Sequence, residues 1–350
     1  MNTVEALLCA IRNEADQPVR LMEVCGGHTH AIRKFGLSVL LPETVTLLSG
    51  PGCPVCVTHT GFIDQAIHLS QNYPVIITTF GDLIRVPGSA QSLEAARADG
   101  ADIRIILSPL QALKLAENER NKQVVFLGIG FETTAPSVAV TILTALERGI
   151  ENFSVLSAHK IMPPAMAALV AQQPNLDGFI CPGHVSTITG QDIYRFLAVD
   201  HGIPCVISGF EAADILESIL LLIRQIKEQK PRVEIQYRRA VKPEGNLKAQ
   251  SILHEVFVLQ DDWWRGLGII AKSGMIPGGR YAGFDAHKRF KLPEFPETDN
   301  PNCRCGDILR GFITPPECRL FGKTCTPDSP IGACMVSFEG TCQAYYRYQN

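Results

Sequence analysis

The sequence predicts an α/β protein with two related parallel-sheet domains and a third, cysteine-rich domain at the C-terminal end. Three observations lead to this prediction. Short apolar segments alternate with helical ones, a pattern of motifs occurs twice, and six of the twelve cysteines lie between Cys303 and Cys342.

The predicted strands are continuous apolar runs, which is typical of strands buried on both faces of a parallel sheet. Helical segments such as 89–99 and 137–148 separate them. The strands are predicted at 44–48, 75–79, 103–107, 124–128, 154–157, 178–181 and 205–208. Ligands of such sheets bind beyond the carboxyl ends of the strands, so the residues that follow each strand are candidates for function.

An internal duplication is indicated by two similar segments that lie about 130 residues apart. In each copy an apolar strand runs into a Pro-Gly turn, at Pro51-Gly52 and at Pro182-Gly183, and a second strand follows a small helix. We therefore expect residues 1–122 and 123–231 to form two similar α/β domains. Residues 232–350 are expected to form the third, with strands at 233–241 and 252–259 and a Gly-rich, loop-heavy region from Trp263 onward.

Composition and charge exclude several classes of function. A hydrophobic share of 46% and a charged share of 19% fit a well-packed soluble protein. A net charge of −3 gives no reason to expect a nucleic-acid or membrane partner. The N-terminus lacks a secretory signal, so we expect a cytoplasmic protein. Twelve cysteines in a reducing compartment indicate metal binding or redox chemistry rather than disulfides.

The first candidate site is the segment CGGHTH, residues 25–30. Cys25 and His28 supply two types of ligand that suit iron or zinc, and the glycines between them let backbone approach a bound group closely. The alternative is a tight turn with a buried cysteine and a histidine at a helix end. A metal-binding role is favoured because both ligand types lie beside open backbone.

The second candidate site is GPGCPVCVT, residues 50–58, which contains a Cys-X-X-Cys pair. Cys53 near a helix N-terminus would be the attacking thiolate of a redox dithiol with Cys56. The same spacing also provides half of a zinc site, but the chain has no second Cys-X-X-Cys. Two buried thiols without function are the remaining alternative.

The third candidate site is the tail with its six cysteines, which are Cys303, Cys305, Cys318, Cys325, Cys334 and Cys342. Four thiolates are enough for a [4Fe–4S] cluster, and the other two would form a second dithiol. Only one of Cys303 and Cys305 is expected to face the cluster, because alternate residues of an extended segment point to opposite sides. A zinc site without redox function is the alternative.

Polar residues after the predicted strands suggest a lined cleft. We expect Glu132, His184 and Asp82 to line it, although each alone is equally typical of a helix cap or a satisfied buried polar group. The Gly128-Ile-Gly130 segment lacks the third glycine and the lysine of a nucleotide-binding loop.

Taken in order, these motifs resemble the HypD family of hydrogenase formation and maturation proteins over essentially the whole chain. The resemblance includes GFETTAP at 130–136, PGHVS at 182–186, WRGLG at 264–268 and the tail segments ECRLFGKTCTP and GACMVSFEGTC. It implies two related α/β domains and a third that holds a [4Fe–4S] cluster. It also implies a scaffold, shared with the small protein HypC, for an iron carrying two cyanides and one carbon monoxide.

The resemblance also assigns partners and residues. HypE would supply the cyanide groups, and the finished Fe(CN)2CO unit would pass to the hydrogenase large subunit. Cys25 would hold the iron, with His28 as a ligand or as a donor to its sulfur. The cluster ligands would be Cys303, Cys318, Cys325 and Cys342, which leaves Cys305 and Cys334 as the adjacent dithiol.

Two other functions remain open. The first is a thiol oxidoreductase in which cluster electrons reduce a partner's disulfide through Cys53 and Cys56, but this would leave the CGGHTH segment unexplained. The second is a structural zinc protein that only organises other subunits. Whether the chain catalyses turnover or mainly serves as an assembly platform is not decided by its residues.

Overall fold

The computed structural model describes residues 3–172, 175–296, 298 and 300–348, and it contains two β-sheets. The first has five strands in the order β2-β1-β7-β8-β9, and the second has six in the order β10-β11-β6-β5-β3-β4. The strands are β1 Val19–Glu23, β2 Val45–Ser49, β3 Val75–Thr79, β4 Ile103–Ile105, β5 Gln123–Gly130, β6 Phe153–Lys160, β7 Gly178–Pro182, β8 Cys205–Ser208, β9 Val233–Ile235, β10 Phe257–Trp264 and β11 Gly268–Pro277.

The first sheet is parallel throughout. Its strand order reverses between β1 and β7, because the chain continues from β1 to β2 on one side and from β7 to β8 on the other. A crevice opens beyond the carboxyl ends of the strands at such a reversal, and ligands of parallel sheets bind there. Cys25 follows β1 and His184 follows β7, so two of the predicted site residues border this crevice.

The second sheet is mixed. β6, β5, β3 and β4 are parallel, whereas β11 pairs with β6 and with β10 in the antiparallel sense. β10 and β11 form a hairpin whose turn contains Arg265 and Gly266. Trp264, at the end of β10, is completely buried and its indole Nε1 donates to Ser273 Oγ. This hairpin carries its turn toward the cysteines of the tail, as described below.

Helices surround both sheets. The longest, of 17 residues, begins with a capping box in which Glu211 and Asp214 bond each other's backbone N–H groups, and one face of it packs on the first sheet. The helices are α1 Thr3–Glu14, α2 Gly26–Lys34, α3 Leu37–Leu40, α4 Pro54–Val57, α5 Thr60–Asn72, α6 Leu93–Ala98, α7 Pro109–Asn118, α8 Ala135–Glu147, α9 Met162–Gln172, α10 Gly183–Thr189, α11 Arg195–Asp200, α12 Ala212–Glu228, α13 Leu247–Val256, α14 Ala286–Phe290, α15 Cys305–Leu309, α16 Ala333–Val336 and α17 Thr341–Arg347.

The described part of the tail has no strand after β11 and contains only short helices and turns. Its cysteines nevertheless belong to the same apolar core as α4 and the strand β5. No helix among the described residues is long and apolar enough to cross a bilayer.

The α/β class with parallel sheets is confirmed. Residues 75–79 and 205–208 are strands as predicted, and the other five strands predicted before residue 231 differ by a few residues at their ends. Two predictions farther along the chain were wrong. Residues 247–256 are helical, because Asn246 caps Ala249 N and apolar side chains follow at helical spacing, so the strand begins only at Phe257. The loop-heavy region predicted from Trp263 begins only after Pro277, because residues 257–277 form a hairpin.

The strand predicted at 233–241 is shorter than expected. It ends at Ile235, because the backbone N–H groups of Gln236 and Tyr237 both bond Ile207 O and Val241 N then bonds Tyr237 O in a turn. Each sheet combines strands from both sides of residue 122. β2 and β3 of the first repeat copy lie in different sheets, whereas β7 and β8 of the second copy are neighbours. The duplication and the boundaries at 122 and 231 therefore stay predictions.

Candidate functional site

The segment that we call the Cys25 turn, residues 23–30, joins β1 to α2 at the strand-order reversal of the first sheet. Cys25 is extended and precedes the first residue of α2, and Gly26 N donates to Gly52 O at 3.1 Å. A Cβ on Gly52 would lie 2.1 Å from the Cys25 backbone N, so only glycine permits this approach. The GPGCPVC segment is therefore needed to hold Cys25 in position.

The buried carboxyl group of Glu23 holds the Cys25 turn in place through hydrogen bonds. Glu23 Oε2 accepts the Cys25 N–H at 3.0 Å, and Glu23 Oε1 accepts the Thr29 hydroxyl. Burial raises the pKa of Glu23 to about 8. Burial and then the nearby Glu339 and Glu23 also raise the pKa of the Cys25 thiol. A bound metal cation would reverse this effect, because its charge stabilises the thiolate.

His28 presents one nitrogen without a partner. The ring is completely buried, and Nε2 lies 3.2 Å from Ser208 O and 3.0 Å from Gly209 O. Both partners are carbonyl oxygens, so Nε2 carries the proton and Nδ1 has a free lone pair. Nδ1 is buried and has no hydrogen-bond partner. Burial lowers the pKa of His28 to about 4, so the ring is neutral and able to bind a metal.

Phe210, after β8, lies between the two predicted histidines. Its ring stacks on His28 with centroids 4.7 Å apart and on His184 with centroids 4.1 Å apart. His184 is exposed, and partial burial lowers its pKa. The carboxyl ends of β1, β7 and β8 thus bring Cys25, His28 and His184 to one end of the first sheet.

Asp82 and Glu132 lie in different surroundings. Asp82 is exposed after β3, and its charge, after burial, raises the pKa of Glu339, whose Cβ lies against Gly26. The charge of Asp82 therefore acts on a carboxyl group that lies beside the Cys25 turn. Glu132 is buried, and its described hydrogen bond is from Met162 N to Oε1 at 3.0 Å. It lines an apolar cavity together with Phe257, and burial raises its pKa to about 7.

The Cys-X-X-Cys pair is buried in a short helix that packs on the tail. Cys53 precedes α4, and its Sγ accepts the Cys56 N–H at 3.3 Å. The Sγ atom of Cys53 also lies 3.3 Å from Ser337 Oγ. Cys56 is completely buried, and its thiol is hydrogen-bonded to those of Cys53 and Cys334. The dithiol therefore touches the tail at two points.

The six tail thiols line one small cavity. Its other walls are apolar side chains and a glycine, and the cysteines are Cys303, Cys305, Cys318, Cys325, Cys334 and Cys342. Cys334 lies at the centre of a thiol network, because it receives hydrogen bonds from Cys305, Cys342 and Cys56, and these lower its pKa. All twelve cysteines of the chain are free thiols.

The donor set around this cavity fits an iron–sulfur cluster. Converging thiols in an apolar, water-poor setting are the ligands that such clusters use. Among the described residues, no group of three or more His, Cys, Asp or Glu side chains is placed to hold a metal ion. The six thiols are more than a cluster needs, which agrees with a separate role for two of them.

Arg265 connects the hairpin, the Cys-X-X-Cys segment and the tail. Its Nε donates to Cys56 O at 3.0 Å, its Nη2 donates to Thr58 O at 2.9 Å, and the side chain is buried. Its charge also lowers the pKa of Cys303 and of Cys305, against the larger effects that raise them. The next residue, Gly266, lies against Gly306 so closely that a Cβ would be 2.6 Å away.

Sequence reasoning missed several residues of these sites. No role was predicted from the sequence for Phe210, Ser337, Glu339, Glu23 or Arg265. Arg265 had the clearest signal of the five, since an arginine between a tryptophan and a glycine in an apolar segment needs hydrogen-bond partners. Nothing in the sequence relates Ser337 to Cys53, because 284 residues separate them.

Comparison with known proteins agrees with this architecture. The family model described as "Hydrogenase formation hypA family", HypD, matches residues 2–349. Hydrogenase maturation factor HypD2 of Bradyrhizobium diazoefficiens is 48% identical and covers 97% of this chain and 92% of its own. HypD of Escherichia coli is 47% identical, with 96% and 90% covered, and HypD of Azotobacter vinelandii is 46% identical, with 99% and 94% covered.

The solved structure of 2,3-dimethylmalate lyase covers 73% of this chain and 86% of its own, but its identity of 15% and TM-score of 0.15 are too low for any conclusion. The sequence relatives define the class as hydrogenase maturation factors. The chain belongs to the HypD family, as the motifs predicted.

Proposed function

We propose that this maturation factor is the scaffold on which, together with HypC, an Fe(CN)2CO unit is assembled in the cytoplasm. The observation that carries the proposal is that one turn holds both the partly buried Cys25 and His28, whose buried Nδ1 has no hydrogen-bond partner. A thiolate and a neutral imidazole are ligands that iron accepts, and electron-rich iron favours soft sulfur.

The iron unit is the cargo of this site, and the Cys25 turn provides what such a cargo needs. Gly27, in the first turn of α2, leaves space beside the Cys25 sulfur, since a Cβ there would lie 3.7 Å from it. Glu23 fixes the Cys25 backbone, and Phe210 shields His28 from water. Glu339 lies against Gly26, and His184 stacks on the same Phe210 ring as His28, so both side chains are available to hydrogen-bond a bound group.

The resident cofactor of the tail is proposed to be a [4Fe–4S] cluster held by Cys303, Cys318, Cys325 and Cys342. When bound, it supplies single electrons at low potential. Cys305 and Cys334 then form a dithiol beside it, and Cys53 and Cys56 form a second one. The contact of Cys334 with both Cys305 and Cys56 supports thiol–disulfide exchange between the two pairs.

The partners are proposed from the family. HypC would share the iron at the Cys25 turn, HypE would supply cyanide, and the hydrogenase large subunit would receive the finished unit through HypC. Cys25 is only partly buried, which agrees with access by a second protein. The exposed Phe338 and Glu339, next to the turn, lie on the surface where such a partner would contact the chain.

Infrared spectroscopy tests the scaffold. The chain is purified without oxygen after co-expression with its maturation partners, alongside the variants Cys25→Ala and Cys9→Ala. Cys9 is an exposed thiol on α1 that has no proposed role, and it serves as the matched control. We expect cyanide and carbonyl stretching bands in the wild type and in Cys9→Ala but not in Cys25→Ala. Bands that persist in Cys25→Ala would refute the role of Cys25.

A thiol-disulfide oxidoreductase acting on a partner protein is the second candidate. It is favoured by the direct contact between Cys56 and Cys334, which needs no contribution from Cys25. A brown protein that reduces protein disulfides but shows no cyanide or carbonyl bands under any co-expression would support it. A colourless zinc-containing protein would instead indicate a purely structural role.

A further inference from the structure

Two four-residue helices face each other between the Cys-X-X-Cys segment and the tail. α4 carries Cys56 and follows Cys53, whereas α16 carries Cys334 and precedes Ser337. Cys56 contacts Cys334, and Cys53 contacts Ser337, with its Sγ 3.3 Å from the serine Oγ. Cys53 and Cys56 thus each contact one side chain of the segment 334–337.

The described contacts of Ser337 use its oxygen as an acceptor, so its hydroxyl proton is available for a hydrogen bond to Cys53. Ser337 is 1% exposed, and its Oγ accepts the backbone N–H of Glu339 at 3.3 Å. The oxygen also accepts from Cys53 while the thiol is protonated. When Cys53 loses its proton, the serine hydroxyl can turn and donate to the sulfur. The thiolate then has two donors, Ser337 O–H and Cys56 N–H.

We propose that Ser337 is a catalytic residue of exchange between the two dithiols, because its hydroxyl stabilises Cys53 as the leaving thiolate. The inference rests on the proposed redox role of these cysteines and adds a residue to it. Hydrogen bonds to charged sulfur are stronger than those to the neutral thiol, so the effect is greatest when Cys53 departs.

The exchange balances without an outside reagent. The Cys334 thiolate attacks Cys56 of a Cys53–Cys56 disulfide, the Cys334–Cys56 bond forms, and Cys53 leaves as a thiolate. The Cys305 thiolate then attacks Cys334, the Cys305–Cys334 bond forms, and Cys56 leaves as a thiolate. Two electrons pass from the tail pair to the Cys53–Cys56 pair, and the two protons released by Cys305 and Cys334 return to Cys53 and Cys56.

The geometry also explains the order of attack. Cys334 lies on α16, which packs on α4, and its Sγ accepts the backbone N–H of Cys342 at 3.2 Å. Of the two sulfurs of the disulfide, it contacts that of Cys56. Cys53 must therefore be the leaving group, and it is the sulfur next to Ser337.

The test traps the first step in the full-length chain. With Cys305→Ser the second step cannot occur, so a Cys53–Cys56 disulfide and a Cys56–Cys334 disulfide come to equilibrium. Their ratio is measured anaerobically at pH 9 by acid quenching, alkylation and peptide mass spectrometry. The comparison adds Ser337→Ala, Ser337→Thr, which keeps the hydroxyl, and Ser218→Ala, which removes an equally buried hydroxyl from α12.

We expect Ser337→Ala to lower the share of the Cys56–Cys334 disulfide, relative to Cys53–Cys56, by about three- to tenfold. Ser337→Thr and Ser218→Ala should leave the ratio within about twofold. An unchanged ratio in Ser337→Ala would overturn the role of Ser337 while leaving the exchange intact. Absence of the Cys56–Cys334 disulfide from every variant would overturn the exchange itself, and the infrared bands would show separately whether the scaffold function stands.

Discussion

The Cys25 turn and the cysteine tail, residues 303–342, place thiols by opposite means. In the Cys25 turn, a strand, a helix and a buried glutamate hold one cysteine through backbone hydrogen bonds. In the tail, short helices and turns present six cysteines to one cavity, and the contacts between thiols are side-chain contacts. The Cys25 turn is therefore ordered by the fold without a bound group, whereas the order of the tail depends more on what its thiols bind.

Metal removal should give the largest difference between the two regions. Chelation of iron from the purified protein, or Cys325→Ser, should increase amide hydrogen exchange in residues 303–342 at least a hundredfold, because bound metal contributes directly to folding free energy. Exchange in β1 and α2 should change by less than about threefold. Hydrogen-exchange mass spectrometry checks both regions at once. Equal loosening of both would contradict the comparison, and Cys9→Ser controls for the loss of a thiol.

Gly52→Ala should break the Cys25 turn. The new Cβ would lie 2.1 Å from Cys25 N and 2.4 Å from its Cα, which are backbone atoms with no room to yield. We expect a loss of about 3 kcal/mol or more in the free energy of unfolding, measured by urea denaturation. Gly283→Ala is the control, since a Cβ there meets nothing within 4 Å and the change should be within about 1 kcal/mol of neutral. A loss of under 1 kcal/mol at Gly52 would show that the turn can adapt.

Arg265→Met should loosen the connection between the regions. It removes the donors to Cys56 O and Thr58 O and leaves both carbonyls buried. A loss of about 2–4 kcal/mol in unfolding free energy is expected, with Arg265→Lys intermediate. The exposed Arg238, whose Nε bonds Ile235 O, provides the control, and its replacement by Met should cost less than about 1 kcal/mol. Equal losses at the two positions would argue against a connecting role for Arg265.

Glu23→Gln should change how the stability of the chain depends on pH. Because the pKa of Glu23 rises from 4.5 to about 8 on folding, the folded chain keeps a proton that the unfolded chain loses above pH 4.5. The contribution of this proton to stability is complete below pH 4.5 and is lost as the pH rises toward 8, with a slope of about 1.4 kcal/mol per unit. The slope should be absent from Glu23→Gln when urea denaturation is repeated between pH 5 and 8. The same slope in both proteins would mean that Glu23 is ionised in the folded chain.

The comparison also explains which features the sequence was able to predict. β3 and β8 were located to the residue, since short β-branched or apolar runs between turn residues specify buried strands. Cys25, Cys53 and the tail cysteines could be proposed as site residues because clustered cysteines indicate metal or redox chemistry, and their roles stay predictions. The helix at 247–256 was missed because its apolar, β-branched residues suit either structure and the Asn246 cap decided between them.

Contacts between distant segments were beyond sequence reasoning. Phe210 lies 182 residues after His28, and no pattern relates the two. The hairpin of β10 and β11 looked like a glycine-rich loop, because its turn needs Gly266 and Gly268 at positive φ of 80° and 78°. The order of the strands could not be predicted either. β1 pairs with β7, although most strands of the second sheet lie between them in the sequence.

Because most strands of the second sheet lie between β1 and β7 in the sequence, the first sheet cannot be completed early during synthesis on the ribosome. β1 and β2 emerge early, but β7, which completes the crevice around Cys25, follows roughly 150 residues later, or about 8 to 30 s at ordinary elongation rates. During that interval the nascent chain presents Cys25, Cys53 and Cys56 without their tail partners. The growing polypeptide therefore passes through a stage in which these thiols are unprotected, and its yield in the cell should depend on how well that stage is kept from oxidants.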